Sequence, residues 1–137
     1  MQIIGIDIGT TTISGVVLDY KKGKTAKLLE AKTIENGCFI PAANEWEKIQ
    51  DADRIVRKAG GLLDYFLNKY HRIQRIGLTG QMHGIVYIDR AGKCVSPLYT
   101  WQDGRGGLWE NGQQLKSGRT VKWTRLPAMV WLPIFII

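Results

Sequence analysis

The amino-terminal segment contains the first residues whose types and spacing could do chemistry. Asp7 lies near the end of the short apolar run Gln2–Ile8, which is typical of a buried strand. Four residues follow that could form a phosphate-binding turn: Gly9, Thr10, Thr11 and Thr12. Turn N–H groups and hydroxyls can donate to phosphate oxygens, and Asp7 could hold Mg²⁺ directly or through water. An ordinary hairpin turn capped by Asp7 is the alternative, since the P-loop pattern is absent.

A glycine-flanked loop supplies the second candidate site. Residues 80–84 read Gly-Gln-Met-His-Gly and follow an apolar run that predicts a strand over residues 73–79. Ligands of open sheets bind where strands end, so this loop could meet a polyol. Gln81 and His83 can hydrogen-bond its hydroxyls, and Met82 can pack on its carbon face. His83 could instead have a purely structural role.

The third candidate is the segment 100–105, which reads Thr-Trp-Gln-Asp-Gly-Arg. Trp101 offers a flat apolar face to the C–H groups of a sugar, and Asp103 can accept hydrogen bonds from hydroxyls. Arg105 can fix that carboxylate or bind a phosphate. Taken alone, the segment would also suit a surface turn beside a core tryptophan.

The elements that must position these residues begin with strands. Residues 12–20 are rich in β-branched side chains, and residues 25–34 form a further strand after a turn at 21–24. Together with Gln2–Ile8 they predict an opening antiparallel β-meander. Residues 36–50 have no regular pattern.

Apolar residues at helical spacing predict a helix over residues 51–69. Gly60 and Gly61 interrupt it, and we expect them to let the helix lie close to the sheet. Further strands are expected over 73–79 and 85–89, then a turn at 90–93 and a helix around 108–115. This succession indicates an α/β domain whose sheet is covered by a helix. The expected inner face of the first helix consists of Ile55, Ala59, Leu62, Leu63, Phe66 and Tyr70.

Composition limits the class of protein. Of the 137 residues, 45% are hydrophobic and 23% are charged, as in soluble globular proteins. The net charge is +7, but the basic residues are scattered, so we expect no nucleic-acid partner. Cys38 and Cys94 do not suggest a disulfide framework, and the first residues do not resemble a signal peptide. We therefore expect a cytoplasmic protein with no membrane partner.

The three motifs, in this order and at these separations, resemble the FGGY carbohydrate kinases. The resemblance covers residues 1–110 and implies the ribonuclease H-like, actin/hexokinase-type ATPase fold, in which two domains close over ATP and sugar. It also implies transfer of the ATP γ-phosphoryl group, with Mg²⁺, to a hydroxyl of a small-molecule ketose. The Gly-Gln-Met-His-Gly loop is similar to the xylulose and sedoheptulose kinase branch, and Gln102 makes the third motif more similar to sedoheptulokinases.

The resemblance implies a role for each motif. Asp7 matches the acidic residue near the metal and the transferring phosphoryl group, and the turn 9–12 matches the phosphate loop. Met82 and His83 match the sugar-contact pair. The family's catalytic base, an Asp further along the chain, has no match here, so we expect this chain alone to be inactive. The remaining residues of the expected substrate-binding set are Gln81, Trp101 and Asp103.

The last residues follow a different pattern. We divide the chain into residues 1–120, the front part of the incomplete first domain of such a kinase, and an apolar tail, 121–137. Pro127 and Pro133 suit neither a central strand nor a helix interior. Read one base out of phase, the codons of the tail can encode a segment similar to one in the family, so we interpret the tail as out-of-frame sequence. A core strand pair and a membrane-binding tail are the alternatives.

Two other functions stay open at this point. The chain could be a non-catalytic module with a weak sugar or phosphate site, or a basic interaction protein. For the kinase fragment we also expect exposed apolar surface and self-association, because the missing half of the enzyme would have covered part of its sheet.

Overall fold

The computed structural model describes residues 1–110, 113–114 and 135–136, which form two compact units. The first unit consists of Met1–Gly37, Asp53–Gln81 and residues 135–136, and the second of Cys38–Ala52, 82–110 and 113–114. Apart from residues 135–136, the tail predicted over 121–137 lies outside the described residues. The elements are β1 (Gln2–Ile8), β2 (Thr12–Asp19), β3 (Lys27–Glu35), β4 (Ile49–Gln50), α1 (Ala52–Lys69), β5 (Ile73–Gly80), β6 (Leu98–Tyr99), a 3-10 helix (Gly104–Gly107), β7 (Trp109–Glu110), β8 (Gln113–Gln114) and β9 (Phe135–Ile136).

The first unit is built on a mixed sheet with the strand order β3-β2-β1-β5-β9. The pairs β1–β2 and β2–β3 are antiparallel, which confirms the predicted meander. Strand β5 returns beside β1 in parallel, with Ile8 opposite Gly80, so both strands end at the same edge of the sheet. A parallel return needs a crossover, and α1 provides it. The segments that follow β1 and β5 therefore start from neighbouring positions.

Helix α1 covers one face of this sheet. Alternate residues of β1 and β2 are buried on that face, as the period of two in a strand requires. From the helix, Ile55, Leu62 and Phe66 are buried, as the helical spacing predicted. Burying a side chain of this size contributes about 1.5–3 kcal/mol relative to leaving it exposed. The buried strand residues are Ile4, Ile6, Ile13 and Val17.

The close approach between helix and sheet occurs at Gly15 of β2. A Cβ placed there would overlap with Phe66 Cε2 and would lie 3.0 Å from Ile6 Cδ1. A Cβ at Gly60 or Gly61 would meet nothing within 4 Å, so the expectation that these glycines bring the helix close is wrong. The absence of a side chain at Gly15 leaves room for Phe66 and Leu62 of the helix and for Ile6 of β1.

The carboxyl end of α1 is attached to β3 through Glu30. The Glu30 carboxylate accepts hydrogen bonds from Tyr65 Oη and Tyr70 Oη, each at 2.8 Å, and pairs with Lys69 Nζ at 2.9 Å. The hydrogen bonds from Lys69, Tyr65 and Tyr70 lower the pKa of Glu30 to about 2. Lys32 Nζ lies 3.8 Å from the centroid of the Tyr65 ring. The last helical turn is thus fixed by polar contacts.

The second unit contains shorter elements. Strands β4 and β6 pair antiparallel, with Ile49 opposite Tyr99. The predicted strand over 85–89 is wrong, because that segment makes only isolated bridges, Ile85 with Tyr99 and Ile88 with Cys94. The turn that follows is confirmed, since Asp89 Oδ1 accepts from the backbone N–H groups of Ala91 and Lys93.

The helix predicted around residues 108–115 is also wrong. Strands β7 and β8 pair antiparallel there, with Trp109 opposite Gln114 and Glu110 opposite Gln113. The sequence between them is Asn-Gly, the dipeptide that most favours a two-residue hairpin connection. The described residues on either side of this dipeptide are therefore paired strands and not the predicted helix.

The described surface carries large apolar side chains. The exposed fraction is 67% for Val56, 58% for Val95 and 55% for Leu28. The predicted self-association requires exposed apolar side chains of this kind. The association itself stays a prediction. In the described part of the chain, no helix combines the length and the hydropathy needed to cross a bilayer.

Candidate functional site

The turn that joins β1 to β2 is tight and requires its glycine. It is closed by a hydrogen bond from Gly9 N–H to the Thr12 carbonyl at 2.9 Å. A Cβ at Gly9 would lie 2.9 Å from that carbonyl oxygen and 4.0 Å from Asp7 Oδ2. A side chain at residue 9 would therefore collide with the backbone and occupy the space beside the Asp7 carboxylate. The structure thus brings Asp7 and the predicted phosphate turn together.

The Asp7 carboxylate is available to a ligand. Asp7 is exposed, and no hydrogen bond from the described residues reaches its carboxylate. Its neighbours in register are Ser14 of β2 and Thr79 of β5. The described residues contain no cluster of three or more His, Cys, Asp or Glu side chains suited to a metal. The arrangement fits an ion such as Mg²⁺, which proteins often hold through one or two carboxylates together with substrate phosphates.

A shallow cavity of about 350 Å³ extends from Asp7 along the open face of the sheet. Two opposed positions of its lining carry no side chain, since Gly5 of β1 lies opposite Gly77 of β5 in the parallel register. Val16 and Thr79 also line the cavity. It lies on the face opposite α1, since Gly5 and Asp7 alternate with the buried Ile4 and Ile6.

Gln81 lies with the phosphate turn. Its backbone N–H donates to the Ile8 carbonyl at 2.8 Å, which continues the pairing of β5 with β1. Its side-chain Oε1 accepts a hydrogen bond from Thr10 Oγ1 at 2.8 Å. The motif alone groups Gln81 with the sugar contacts. In this structure its side chain contacts the turn, 71 residues earlier in the chain.

Met82 and His83 belong to the second unit. Met82 has 70% of its surface exposed, and His83 is also exposed. His83 has φ 60°, which makes it the one non-glycine residue with positive φ in the described part of the chain. The left-handed conformation costs an L-residue roughly 1–2 kcal/mol, and such outliers are concentrated at functional sites. The backbone of His83 therefore has a conformation that a glycine would adopt without strain.

The segment that leads into the third motif pairs with Ile85, the residue that directly follows this loop. Ile85 and Tyr99 exchange two hydrogen bonds, of 2.9 Å and 2.8 Å. Gly84, at the end of the loop, lies against the same segment, because a Cβ there would lie 3.1 Å from Leu98 Cδ1 and 3.4 Å from the Tyr99 carbonyl oxygen. Trp101 is 59% exposed and can present its ring to a ligand. Gly84 of the second motif thus lies beside Leu98 and Tyr99, which lead into the third motif.

Asp103 organises the third motif. Its Oδ1 accepts hydrogen bonds from Arg105 N and Nε, and its Oδ2 accepts from Lys48 N at 3.0 Å and Arg105 Nη2 at 3.1 Å. A carboxylate has about four acceptor positions, so a sugar hydroxyl would have to displace one of these donors. Burial opposes ionisation, but the hydrogen bonds from Arg105 and the Lys48 backbone hold the pKa of Asp103 below its usual value.

The partner of Asp103 is itself held by aromatic rings. The Arg105 guanidinium carbon lies 4.0 Å from the centroid of Tyr99 and 5.7 Å from that of Trp46. The sequence did not indicate these stacking partners, because nothing in the spacing links residue 46 to residue 105. It also did not indicate Asn36, which is fully buried and whose Nδ2 donates to the Gly9 carbonyl. The only available signal was an Asn-Gly pair two residues after the end of the strand predicted over 25–34.

Comparison with known proteins assigns the family. The sequence profile of the N-terminal domain of the FGGY family of carbohydrate kinases matches residues 2–135. The chain belongs to the FGGY carbohydrate kinases. The xylulose kinase of Staphylococcus xylosus is 28% identical over 142 residues, an alignment that covers 95% of this chain and 28% of the relative. The mouse sedoheptulokinase is 30% identical over 127 residues, which covers 74% of this chain and 26% of the relative.

A solved structure shows the fold of this FGGY kinase chain. The ligand-bound xylulose kinase from Lactobacillus acidophilus superposes with a TM-score of 0.66 at 21% sequence identity, over 77% of this chain and 20% of that one. The chain therefore has the actin/hexokinase-type ATPase fold that the motifs led us to expect. It spans about a quarter of the length of the curated relatives that it matches, 28% and 26% respectively.

Proposed function

We propose that this chain is part of an ATP-dependent ketose kinase of the sedoheptulose or xylulose type. The observation that carries the proposal is the turn at Gly9 beside the exposed Asp7, at the edge where the parallel strands β1 and β5 end. Ligands of open α/β sheets bind at this edge. Membership of the FGGY family supports phosphoryl transfer, and relatives named xylulose kinase and sedoheptulokinase support a ketose as the acceptor.

The first unit would bind the phosphate end of ATP. Backbone N–H groups of the turn 9–12 and its threonine hydroxyls donate to phosphate oxygens. The Asp7 carboxylate would hold Mg²⁺, and the ion would neutralise charge on the phosphates during transfer. The missing Cβ at Gly9 leaves room for a phosphate oxygen beside Asp7.

The second unit would bind the sugar. His83 can hydrogen-bond a hydroxyl, while Met82 and Trp101 offer exposed apolar surface to the carbon skeleton. Asp103 and Arg105 keep the segment that carries Trp101 in place. A sugar kinase needs both kinds of contact, because catalysis of phosphoryl transfer is mostly positioning and electrostatic stabilisation.

We further propose that the 137-residue chain has no useful kinase turnover by itself. No residue matches the catalytic base of the family, and loss of a general base alone typically costs about 10²–10⁴-fold in rate. Holding two reactants in line can contribute roughly 7–11 kcal/mol, and that contribution needs both of the domains that close over ATP and sugar.

The test is an assay of the purified chain with MgATP and a panel of ketoses, in which ADP and sugar phosphate are measured. We expect no turnover above the background hydrolysis of ATP. Turnover within the usual kinase range of about 1–100 s⁻¹ would show that the catalytic groups lie among residues to which we give structural roles. A commercial FGGY kinase of full length, assayed in the same plate, is the positive control.

A further inference from the structure

Asn36 connects the end of β3 to the phosphate turn at two points. Its side-chain Nδ2 donates to the Gly9 carbonyl at 2.7 Å, and its backbone N–H donates to the Thr11 carbonyl at 2.8 Å. The residue has no exposed surface, so these bonds are protected from competition with water. Two of the turn's carbonyl groups are thus directed at one buried residue.

These two bonds also fix the direction of the turn's donors. The described peptide bonds are all trans, so the C=O and N–H of each peptide unit point in opposite directions. Because the Gly9 carbonyl points at Asn36, the N–H of Thr10 points away from it. The same geometry turns the N–H of Thr12 away from Asn36, since the Thr11 carbonyl faces that residue. The two carbonyl groups thus occupy the side of the turn that faces Asn36, and these two N–H groups lie on the other side.

Asn36 is in turn held by the helix. Lys58 Nζ donates to the Asn36 carbonyl at 2.6 Å and to the Glu35 carbonyl at 2.9 Å. The next residue, Gly37, has φ 54° and turns the chain away from the strand. A chain of hydrogen bonds therefore runs from α1 through Asn36 to the turn at Gly9.

We propose that Asn36 is a positioning residue of the phosphate-binding turn: its side-chain amide orients the backbone donors that bind the phosphate groups of the nucleotide. This inference rests on the proposed function of the turn. Asn36 touches neither phosphate nor metal, and it acts through the Gly9–Thr10 peptide unit. It extends the phosphate site from the turn itself to the end of β3 and to Lys58.

The experiment measures the affinity of the folded chain for inorganic tripolyphosphate in the presence of Mg²⁺, by isothermal titration calorimetry. Tripolyphosphate is the probe because it presents the phosphate groups without adenine. Asn36→Leu removes the amide with little change in volume and no change in charge. Asn68→Leu, on the exposed surface of the same helix-and-sheet unit, is the matched control. Urea denaturation establishes that each variant is folded under the conditions of the titration.

We expect Asn36→Leu to bind tripolyphosphate about 10-fold more weakly, which corresponds to the upper range for one lost hydrogen bond, and Asn68→Leu to bind as the original chain does. A purely structural role would lower stability without changing the dissociation constant of the folded protein. Equal affinity of Asn36→Leu and the original chain would overturn the positioning role while leaving the proposed function intact. Absence of binding by the original chain would overturn the phosphate site itself, and this inference with it.

A second variant covers the case in which Asn36→Leu does not fold. Lys58→Met keeps the aliphatic stem but loses the two hydrogen bonds to the end of β3, and we expect a roughly threefold loss of tripolyphosphate affinity. Arg57→Met removes one positive charge from the same helix and is its control. Equal losses in the two variants would mean that only the charge matters, and would overturn the proposal.

Discussion

Two replacements of His83 separate its effect on backbone strain from its effect on sugar binding. His83→Gly and His83→Ala remove the same imidazole, but only glycine adopts φ 60° without strain. The left-handed conformation costs an L-residue about 1–2 kcal/mol, and the greater unfolded-state freedom of glycine offsets about 0.5–1 kcal/mol of that gain. We therefore expect His83→Gly to be more stable than His83→Ala by about 0.5–1 kcal/mol.

The assay is urea denaturation of the three proteins, followed by circular dichroism, with the slopes constrained to a common value. The same proteins are then titrated with sedoheptulose and xylulose, and we expect both variants to lose sugar affinity to the same extent. A lost hydrogen bond to a neutral hydroxyl contributes about 0.5–1.5 kcal/mol, so the loss should be roughly 2- to 12-fold.

Two results would refute this reasoning at different steps. If His83→Ala were as stable as His83→Gly, the backbone at residue 83 would not be held in the left-handed conformation. If both variants bound ketoses as tightly as the original chain, the histidine would lie outside the sugar site, and its conformation would have a structural cause.

Two further predictions concern the packing of α1. Because the pKa of Glu30 is lowered from 4.5 to about 2, its contribution to stability is present above pH 4.5 and is lost as the pH falls towards 2. Glu30→Gln should therefore show a shallower fall of the thermal midpoint over this range, and an unchanged slope would contradict the role of the Lys69 contact. Gly15→Ala should lower the free energy of unfolding by about 1–3 kcal/mol, because the new methyl group would overlap with Phe66. Gly60→Ala, which meets nothing within 4 Å, should instead raise it by about 0.5–1 kcal/mol, and urea denaturation that ranks the two variants equally would refute this account.

Local pattern was enough to predict the central elements of the first unit. The apolar run Gln2–Ile8 has the same bounds as β1, and the helical spacing gave α1 to within one residue. The prediction is correct for these segments because apolar residues with periods of 2 and 3.6 indicate directly which face of a strand or helix is buried. The three motifs likewise led to the family, because residue types and their separations along the chain can be recognised without knowing how the chain packs.

Short elements could not be predicted in the same way. Residues 85–89 are rich in β-branched and aromatic side chains, as strands are, but they make only single-residue bridges, because strand formation also needs a partner segment of matching length. Residues 108–115 have weak helical spacing, yet β7 and β8 pair there around an Asn-Gly sequence. In both cases a contact with another segment decided the outcome.

Residue types and spacing indicate which side chains could bind phosphate, metal and sugar, but what each of them contacts depends on how the strands pack. Gln81 meets Thr10 because β5 returns in parallel beside β1, and Asp103 meets Lys48 across 55 residues. Asn36 became part of the site only through the register of β3 against β2, which carries its amide to the Gly9 carbonyl. Such hydrogen bonds depend on the relative position of whole strands, and that position is fixed by the summed burial of many residues rather than by any local pattern.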